Sequence, residues 1–481
     1  MTRYVIKAPI SSITSDSRLV QKGSLFIAYP GESSDGRKYI GDAIKKGAVA
    51  VIWDEQDFAW NEQWDVKNIA IANLKLQAGF IASQFYKKPS SQLWTIGVTG
   101  TNGKTSVTHW ITQAFEYLDR KAAVVGTLGN GFLGKLESTQ NTTPGSIELQ
   151  KMLAGYVNEG ADVVAMEVSS HGLDQGRLSG TQFDVAVLTN LTRDHLDYHR
   201  TMAAYQEAKR RLFAWGTLKA SVINHDDAFG QELADELHLM QQHTITYGIH
   251  SGEVRATAVE LHQDHFTMHV ISPYGNADVR VNLIGEFNVY NVLAVLSTLL
   301  VSDVPFERAI EAISHLKPVH GRMEMLGGHG KPLVVVDYAH TADALEKVLK
   351  TLKAHAKSKL ICVFGCGGDR DTGKRPEMAK VVSRYADAVV ITTDNPRSEN
   401  PQTIVDEIKT GMQIDYIEEL DRATAISIAI HAAKENDIVL IAGKGHEDYQ
   451  EIAGVKHYFS DAYEATLVLA SYQEVLHDDA F

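Results

Sequence analysis

The sequence predicts an α/β protein of three domains, a small N-terminal α/β domain followed by two larger sets of alternating strands and helices. Three observations predict it. The chain has 481 residues, about three domains at roughly 150 residues each. From Leu93 onward, apolar runs of strand length alternate with helical patterns, an order that joins parallel strands through covering helices. Two stretches break that order, Lys87-Lys88-Pro89-Ser90-Ser91 and the segment around Pro318 and Gly321. Their charge, Pro and Gly content is that of interdomain connections, and they divide the chain into 1–88, 89–318 and 319–481.

In the first domain SLFIAY reads as a strand, PGESSDGR as a loop, DAIKKGA as a short helix and AVAVIW as a second strand. The central domain opens on LWTIGVTG, which runs into a helix from about Lys104 to Leu118. KAAVVGTL, a helix from Ser146, ADVVAMEVS, FDVAVLTNL and a helix through YQEAKRRLF follow, and the apolar helix NVYNVLAVLSTLLV closes the set. The third domain alternates again, from KPLVVVDYA through helices at DALEKVLKTL and RPEMAKVVSRY to the strands KLICVFG, AVVITTDN and DIVLIAGKG.

Composition narrows the function. Hydrophobic residues make up 44% and charged residues 22%, as in globular chains that bury a core. Lys and Arg total 46 against 60 Asp and Glu, a net charge of -14, which argues against nucleic acid or an anionic membrane as partner. The two cysteines, Cys362 and Cys366, fall in an apolar strand and the turn after it, so no disulfide framework is expected and a reducing cytoplasm is. The N-terminus lacks the apolar core of a leader, and the longest apolar stretch, about Val292 to Val301, is shorter than the roughly 20 residues of a membrane span.

The strongest local signal is WTIGVTGTNGKTSVT, from Trp94 to Thr108. A strand, a Gly-rich turn and a helix in this order aim backbone N–H groups and a helix N-terminus at phosphates, with Lys104 reaching the terminal phosphates and Thr105 able to hold Mg²⁺. Val98 stands where the strict phosphate-loop pattern has its first glycine, but GTNGKT is intact. At the ends of the next strands lie EVSSHGLDQGR (Glu167 to Arg177) and NLTRDHLDYH (Asn190 to His199). Ligands collect at the carboxyl ends of parallel strands, which makes Glu167 and His195 candidate Mg²⁺ ligands or orienters of the γ-phosphate. His195 and His199 lack a third zinc ligand at familiar spacing. Lys209, among the basic residues of YQEAKRRLF, reads from the residues alone as part of a solvated helix face.

In the third domain VFGCGGDRDTGKRP suggests a dinucleotide fingerprint, but Arg370 occupies the position its last glycine requires. The useful groups are Arg370 itself, DNPR (Asp394 to Arg397) and AGKGHEDY (Ala442 to Tyr449). Arg397 follows Pro396, and a guanidinium fixed at a turn suits bidentate binding of a carboxylate.

With GTNGKT, EVSSHGL, NLTRDHLDYH, GEFNVYN, HGRME, DYAHT, GCGGDRDTGKRP, DNPR and GKGHE in this order, the chain closely resembles the Mur ligases over nearly its whole length. The resemblance implies an N-terminal domain binding the UDP end of the substrate, a central P-loop-type parallel-sheet ATPase domain and a C-terminal Rossmann-like domain bringing an amino acid. It implies an ATP-dependent ligase adding meso-diaminopimelate to UDP-N-acetylmuramoyl-L-alanyl-D-glutamate in peptidoglycan precursor synthesis, acting in the cytoplasm as a monomer. By motif match, UDP-sugar contacts fall on Ser15, Ser17, Glu32, Ser33 and Ser34, and muramoyl-peptide contacts on Asn141, Thr142, Thr143, Ser169, Gln175 and Arg177. ATP contacts fall on Gly100, Thr101, Asn102, Gly103, Lys104, Thr105, Ser106, Asn288, Arg322 and Asp337. Lys104, Glu167, His195 and Lys209 are the implied catalytic groups. Two Mg²⁺ ions are expected, with Thr105, Glu167, His195 and Lys209 as ligands. The family's counterpart of Lys209 is carbamylated, which turns a cation into an oxygen donor for a hard metal and opposes the solvated reading.

The amino-acid site is expected at Arg370, Asp394, Asn395, Pro396, Arg397, Gly443 and Glu447. Family members that join meso-diaminopimelate carry the DNPR arginine, and those that join L-lysine tend to lack it. The chemistry agrees, because diaminopimelate differs from lysine by a distal carboxylate that Arg397 can pair. Two departures stand out: Ala342 replaces a proline after DYAHT, and Ser106 replaces a common threonine. The alternatives are an L-lysine-adding member, a folylpolyglutamate synthetase-like ligase, an ATP-driven switch without a covalent product, and a non-catalytic sugar-nucleotide binder.

Overall fold

The computed structural model describes residues 9–32, 34–139, 141–262, 265–328 and 330–472. They form two compact units. The first takes in the described residues up to Thr99, with 115–187 and 207–221; the second takes in 100–114, 188–206 and the described residues after Ser221.

The first unit begins with a parallel sheet of Ser12–Thr14, Ser24–Ala28, Ala48–Asp54 and Lys67–Ile71, in that order. Leu25, Ile27 and Ile52 pack against Leu74, Ala78 and Ala82 of the helix Leu74–Phe85, while Phe26, Val51 and Trp53 pack against Ile40 and Ala43 on the other face. Both faces are covered, which is why SLFIA is apolar throughout rather than alternating. The unit also carries, in spatial order, Val185–Leu188, Trp94–Thr99, Val163–Glu167, Ala122–Gly126, Gly129–Phe132 and Lys135–Glu137. Trp94–Thr99 and Ala122–Gly126 both pair in parallel with Val163–Glu167, and the last two strands pair antiparallel. The register sets Val98 beside Glu167, so the strand feeding the phosphate loop and the strand ending in the acidic residue finish together.

In the second unit the strands Thr244–Gly248, Val254–Leu261, Phe266–Ser272 and Gly275–Val281 are paired in that order. The last three form an antiparallel meander, an addition to the parallel pattern expected from the sequence. The helix Glu286–Leu300 is buried along nearly its whole length, as its all-round apolar sequence requires.

The sheet of the C-terminal region runs Glu324–Gly327, Leu333–Asp337, Ile438–Ala442, Leu360–Phe364, Ala388–Ile391 and Ile417–Glu418, parallel except at the first pair. Val335, Cys362, Phe364 and Leu440 face the helices Ala342–His355, Lys374–Tyr385 and Pro401–Lys409; Val336, Val363 and Ile441 face Arg422–Ala432 and Asp461–Ser471. Cys362 and Cys366 are free and buried. Among the described residues no helix is long and apolar enough to cross a membrane.

Candidate active site

The turn after Trp94–Thr99 is shaped by two glycines. Gly100 (φ 150) and Gly103 (φ 87) occupy backbone conformations that side chains disfavour, and a Cβ on them would collide with Thr189 Oγ1 and Asn291 Oδ1. Within the second unit the loop is tied to the end of the strand Val185–Leu188. Thr101 N donates to Asn190 O (2.9 Å), Asn102 N to Asn190 Oδ1 (3.0 Å), and Thr101 Oγ1 to Thr192 O (3.1 Å). Lys104 starts its helix and donates to Gly100 O (2.9 Å) and Thr101 O (2.8 Å), spanning its own loop. His195 has a positive φ (54) and its Nε2 lies 3.4 Å from Asp194 Oδ2.

Arg322 reaches the same loop, donating from Nη2 to Thr105 Oγ1 (3.0 Å) while its guanidinium stacks 4.3 Å from the Tyr338 ring centre. Asp337 accepts from the N–H groups of Met323 and Ala339, both at 2.8 Å. Burial raises its carboxyl pKa, with Arg322 opposing. Asn288 donates to Ile284 O and accepts from Asn291 Nδ2. Among the described residues, the buried side-chain atoms that lack a hydrogen-bond partner include Arg322 Nε, His109 Nε2 and His446 Nδ1. Burial, and then Arg322, hold His109 at about 4 and His446 at about 2. Orphaned groups of this kind call for a polar ligand or water.

In the first unit Glu167 is 1% exposed and fully engaged. Its Oε1 accepts from Thr127 N (2.7 Å) and its Oε2 from Thr127 Oγ1 (3.1 Å), which in turn lies 3.0 Å from Thr142 Oγ1. Thr143 Oγ1 donates to Glu167 O and sits 3.0 Å from Ser169 Oγ, and Arg177 Nη1 donates to Thr143 O (3.0 Å). Glu167, Thr142, Thr143, Ser169 and Arg177 therefore form one network. Gln175 and Arg177 line a cavity of about 220 Å³ with Tyr29, Glu32, Lys75 and Ser146, where Glu32 pairs with Lys75 at 3.6 Å. Ser15, Ser17, Ser34 and Asn141 do not line it; Ser34 Oγ instead meets Tyr39 OH at 3.2 Å. Ser33 lies outside the described residues.

Lys209 corrects the reading made from residues alone. It is 1% exposed, on the inner side of the helix Met202–Phe213, not on a solvated face. The run KRR misleads because neighbouring residues on a helix point about 100° apart, so one basic residue faces inward while Arg211 faces solvent and pairs with Asp174.

The remaining candidates meet at the strand ends of the C-terminal sheet. Arg397 has φ 51, donates from its N–H to Glu451 O (2.9 Å) and from Nη1 to Gly368 O (2.7 Å), and lies 3.5 Å from Glu451 through Nε. A Cβ on Gly367 would meet Arg397 Nη1 at 2.9 Å and Arg370 Cγ at 4.0 Å, so the missing side chain there leaves room for the Arg397 guanidinium. Across the pocket Asn395 Nδ2 donates to Glu447 Oε2 (2.7 Å), and Lys444, fully buried, donates to Asn395 Oδ1 and Glu447 Oε2, each at 3.1 Å. Gly443 (φ 116) brings the backbone against Asp394 Oδ2 and donates to Asp337 O (3.0 Å), joining this pocket to the Arg322 site. Burial raises Glu447, and Asp394 adds to the rise against Lys444; for Asp394 itself burial is outweighed by Lys444 and Arg422, and its pKa falls.

Three family descriptions match in tandem: "Mur ligase family, catalytic domain" over residues 9–86, "Mur ligase middle domain" over 98–299, and "Mur ligase, glutamate ligase domain" over 321–445. The chain belongs to the Mur ligase family. This Mur ligase is 50% identical to a Chromobacterium violaceum protein named UDP-N-acetylmuramoyl-L-alanyl-D-glutamate–2,6-diaminopimelate ligase, over 94% of this chain and 93% of that one. A protein of the same name from Neisseria meningitidis is 48% identical over 93% and 92%. A solved structure of an enzyme with that name superposes with a TM-score of 0.70 at 37% identity, covering 97% of each chain. The Mur ligase thus has the three-domain, mixed α/β architecture of its family, and its family joins acids to amines at the expense of ATP.

Sequence reasoning overlooked several groups in this Mur ligase. Lys444 was legible in principle, as a lysine between two glycines just beyond an apolar strand. Thr127, which holds both Glu167 oxygens, follows a strand end without any marked motif. Arg422 gave no signal, since it opens a helix as surface arginines do; yet it and Asp461 are both 0% exposed, paired at 2.7 Å, and Arg422 donates to Thr393 O and Ala442 O beneath DNPR and GKGHE.

Proposed function

We propose that this Mur ligase joins meso-diaminopimelate to UDP-N-acetylmuramoyl-L-alanyl-D-glutamate in the cytoplasmic synthesis of the peptidoglycan precursor. The carrying observation is the charge pattern of the C-terminal pocket. Arg397 Nη1 lies beside Gly367, with the aliphatic stem of Arg370 near the same glycine, while Asp394 and Glu447 form an acidic group met by Lys444 and, at Asp394, by Arg422, which is itself paired with Asp461. A carbon bearing both a carboxylate and an ammonium, as at the distal end of diaminopimelate, matches the two halves. Lysine offers the ammonium alone and would leave the guanidinium with no partner from the substrate, only Glu451 and Gly368 O.

The free carboxylate of the D-glutamyl residue attacks the γ-phosphate of ATP, releasing ADP and giving an acyl phosphate; the amine of diaminopimelate then displaces phosphate. Lys104 and Arg322 neutralise charge on the transferring oxygens. Thr101, Asn102, Ser106, Asn288 and Asp337 complete the nucleotide site, and the orphaned atoms of Arg322, His109 and His446 support a polar ligand there. Thr142, Thr143, Ser169, Gln175 and Arg177 take the muramoyl peptide, with Glu32 towards its UDP end. By motif match Thr105, Glu167 and His195, with Lys209 as a carbamate, are the groups that would hold Mg²⁺; among the described residues no cluster of three or more His, Cys, Asp or Glu is gathered for a metal. Bound Mg²⁺ would supply charge neutralisation at the phosphates. The domains at 1–88, 89–318 and 319–481 assign one substrate to each, a division supported by the three matched spans.

The test is phosphate release from ATP in the presence of the UDP-muramoyl dipeptide, with and without meso-diaminopimelate. Release should depend on the amino acid, and L-lysine should substitute poorly. Release that ignores the amino acid would overturn the reading.

A further inference from the structure

One side chain of the C-terminal region touches the phosphate loop without belonging to any motif assigned a substrate. Asp343 lies in the first turn of the helix Ala342–His355. Its Oδ2 accepts from Asn102 Nδ2 (2.8 Å), from Thr192 Oγ1 (3.3 Å) and from Lys347 Nζ (2.9 Å). Asn102 and Thr192 are themselves bound into one assembly. Asn102 O accepts from Thr189 Oγ1 (2.6 Å) and Asn190 Nδ2 (3.2 Å), and Thr192 N donates to Thr101 Oγ1 (2.9 Å). A single carboxylate oxygen therefore receives one donor from the phosphate loop and one from the strand-end turn that carries His195. All of these residues lie in the second unit.

Two neighbouring contacts run the same way. Arg193, next to Thr192, lies 3.5 Å from Glu377, and Lys374 donates to His340 O (3.1 Å) in the DYAHT turn that leads to Asp343. The helices Ala342–His355 and Lys374–Tyr385 thus both touch the turn 190–195, through Asp343 and Glu377, and Lys374 ties the second helix to DYAHT. Asp343 is the one of these groups that also reaches the phosphate loop itself. A purely local role, as an acidic residue in a first helical turn with Lys347 four residues on, accounts for the Lys347 bond but not for the two donors from outside the helix.

We propose that Asp343 is a positioning residue that couples the phosphate loop to the segment bearing the amino-acid pocket, holding Asn102 and Thr192 in the arrangement that transfers phosphate only when that segment is seated. The inference rests on the ligase reading above. Its consequence is timing: an acyl phosphate formed without the amine in place is lost to water, and a tie between the two substrate sites suppresses that loss.

The experiment compares wild type with Asp343→Ala, Asp343→Asn, Asn102→Ala and Lys347→Ala, following phosphate release and amide product together, with ADP affinity by calorimetry and a melting curve for each. Asp343→Ala should lower product formation about tenfold or more, weaken ADP, and release more than one phosphate per product. Asp343→Asn keeps an accepting oxygen and should restore coupling. Asp343→Ala combined with Asn102→Ala should be no worse than the more impaired single variant, and Lys347→Ala should match wild type. A folded Asp343→Ala with one phosphate per product and unchanged ADP affinity overturns the proposal, as does additivity of the two alanine variants. If wild type makes no product with meso-diaminopimelate, the ligase reading fails instead, while the ADP affinities still decide whether Asp343 shapes the phosphate loop.

Discussion

Arg397 is held from several sides. Its backbone is left-handed, its N–H and C=O bind Glu451 and Ala453, and its side chain is oriented by Gly368 O and Glu451. A guanidinium fixed in this way loses little freedom on meeting a carboxylate. Arg397→Ala should raise the KM for meso-diaminopimelate about a hundredfold while moving the KM for ATP little, a split that steady-state kinetics with each substrate varied will read. Lys209→Ala should lower kcat about a hundredfold, and added short carboxylic acids should restore part of it; full activity without them would exclude a carbamate. The pair His320 and Glu324, 2.8 Å apart, makes a pH-dependent contribution to stability. The hydrogen bond that His320 donates to Glu324 raises His320 above 6.5 and lowers Glu324 below 4.5. The histidine's share is complete below pH 6.5 and fades as pH rises through its raised pKa; the glutamate's share is complete above pH 4.5 and fades as pH falls. His320→Gln should therefore lower Tm by about 1 °C at pH 5.5 and by less at pH 8.5.

At the scale of elements, the helix Ala342–His355 resolves the question raised by the missing proline. Thr341 is extended (φ -125, ψ 156) and its side chain accepts from Ala344 N, so a threonine cap starts the helix without help from the ring. Ala342 is the first helical residue, a position where proline is favoured, and the extended Thr341 is the conformation a following proline demands. Ala342→Pro should stabilise the protein by about 0.5 kcal/mol with kinetics unchanged, as thermal melts and KM values will show. The phosphate loop was readable because GTNGKT encodes its own geometry in residue types. The network at Glu167 was only half readable: the motif supplied Glu167 and Ser169, but the partner Thr127 comes from a different strand end, and only tertiary pairing reveals it. The helix of Lys209 was misread because charge density along a chain does not say which way each residue faces.

For the whole molecule, the alternation of strands and helices was legible because parallel sheets covered on both faces demand continuous apolar strands. The meander from Val254 to Val281 was not, since its strands are half exposed, with burial alternating or broken along them, and have no helix between them to mark a crossover. The net charge of -14 does not oppose the proposed anionic substrates, because a few placed cations, Lys104, Arg177, Arg322, Arg370 and Arg397, are proposed to meet them. The buried cysteines carry one more consequence. Cys362 is 0% and Cys366 3% exposed, and burial pushes the Cys366 thiol up to about 12 and the Cys362 thiol higher. Only thiolates react readily with alkylating or disulfide reagents, so the folded protein should resist such labelling and the unfolded chain should take up two labels. Because Cys362 lies in the core of the C-terminal sheet and Cys366 in the turn that leads towards the proposed amino-acid pocket, the labelling rate becomes a clock for the opening of that region. Mass spectrometry over time, with and without bound substrates, should show the clock slow when the pocket is filled.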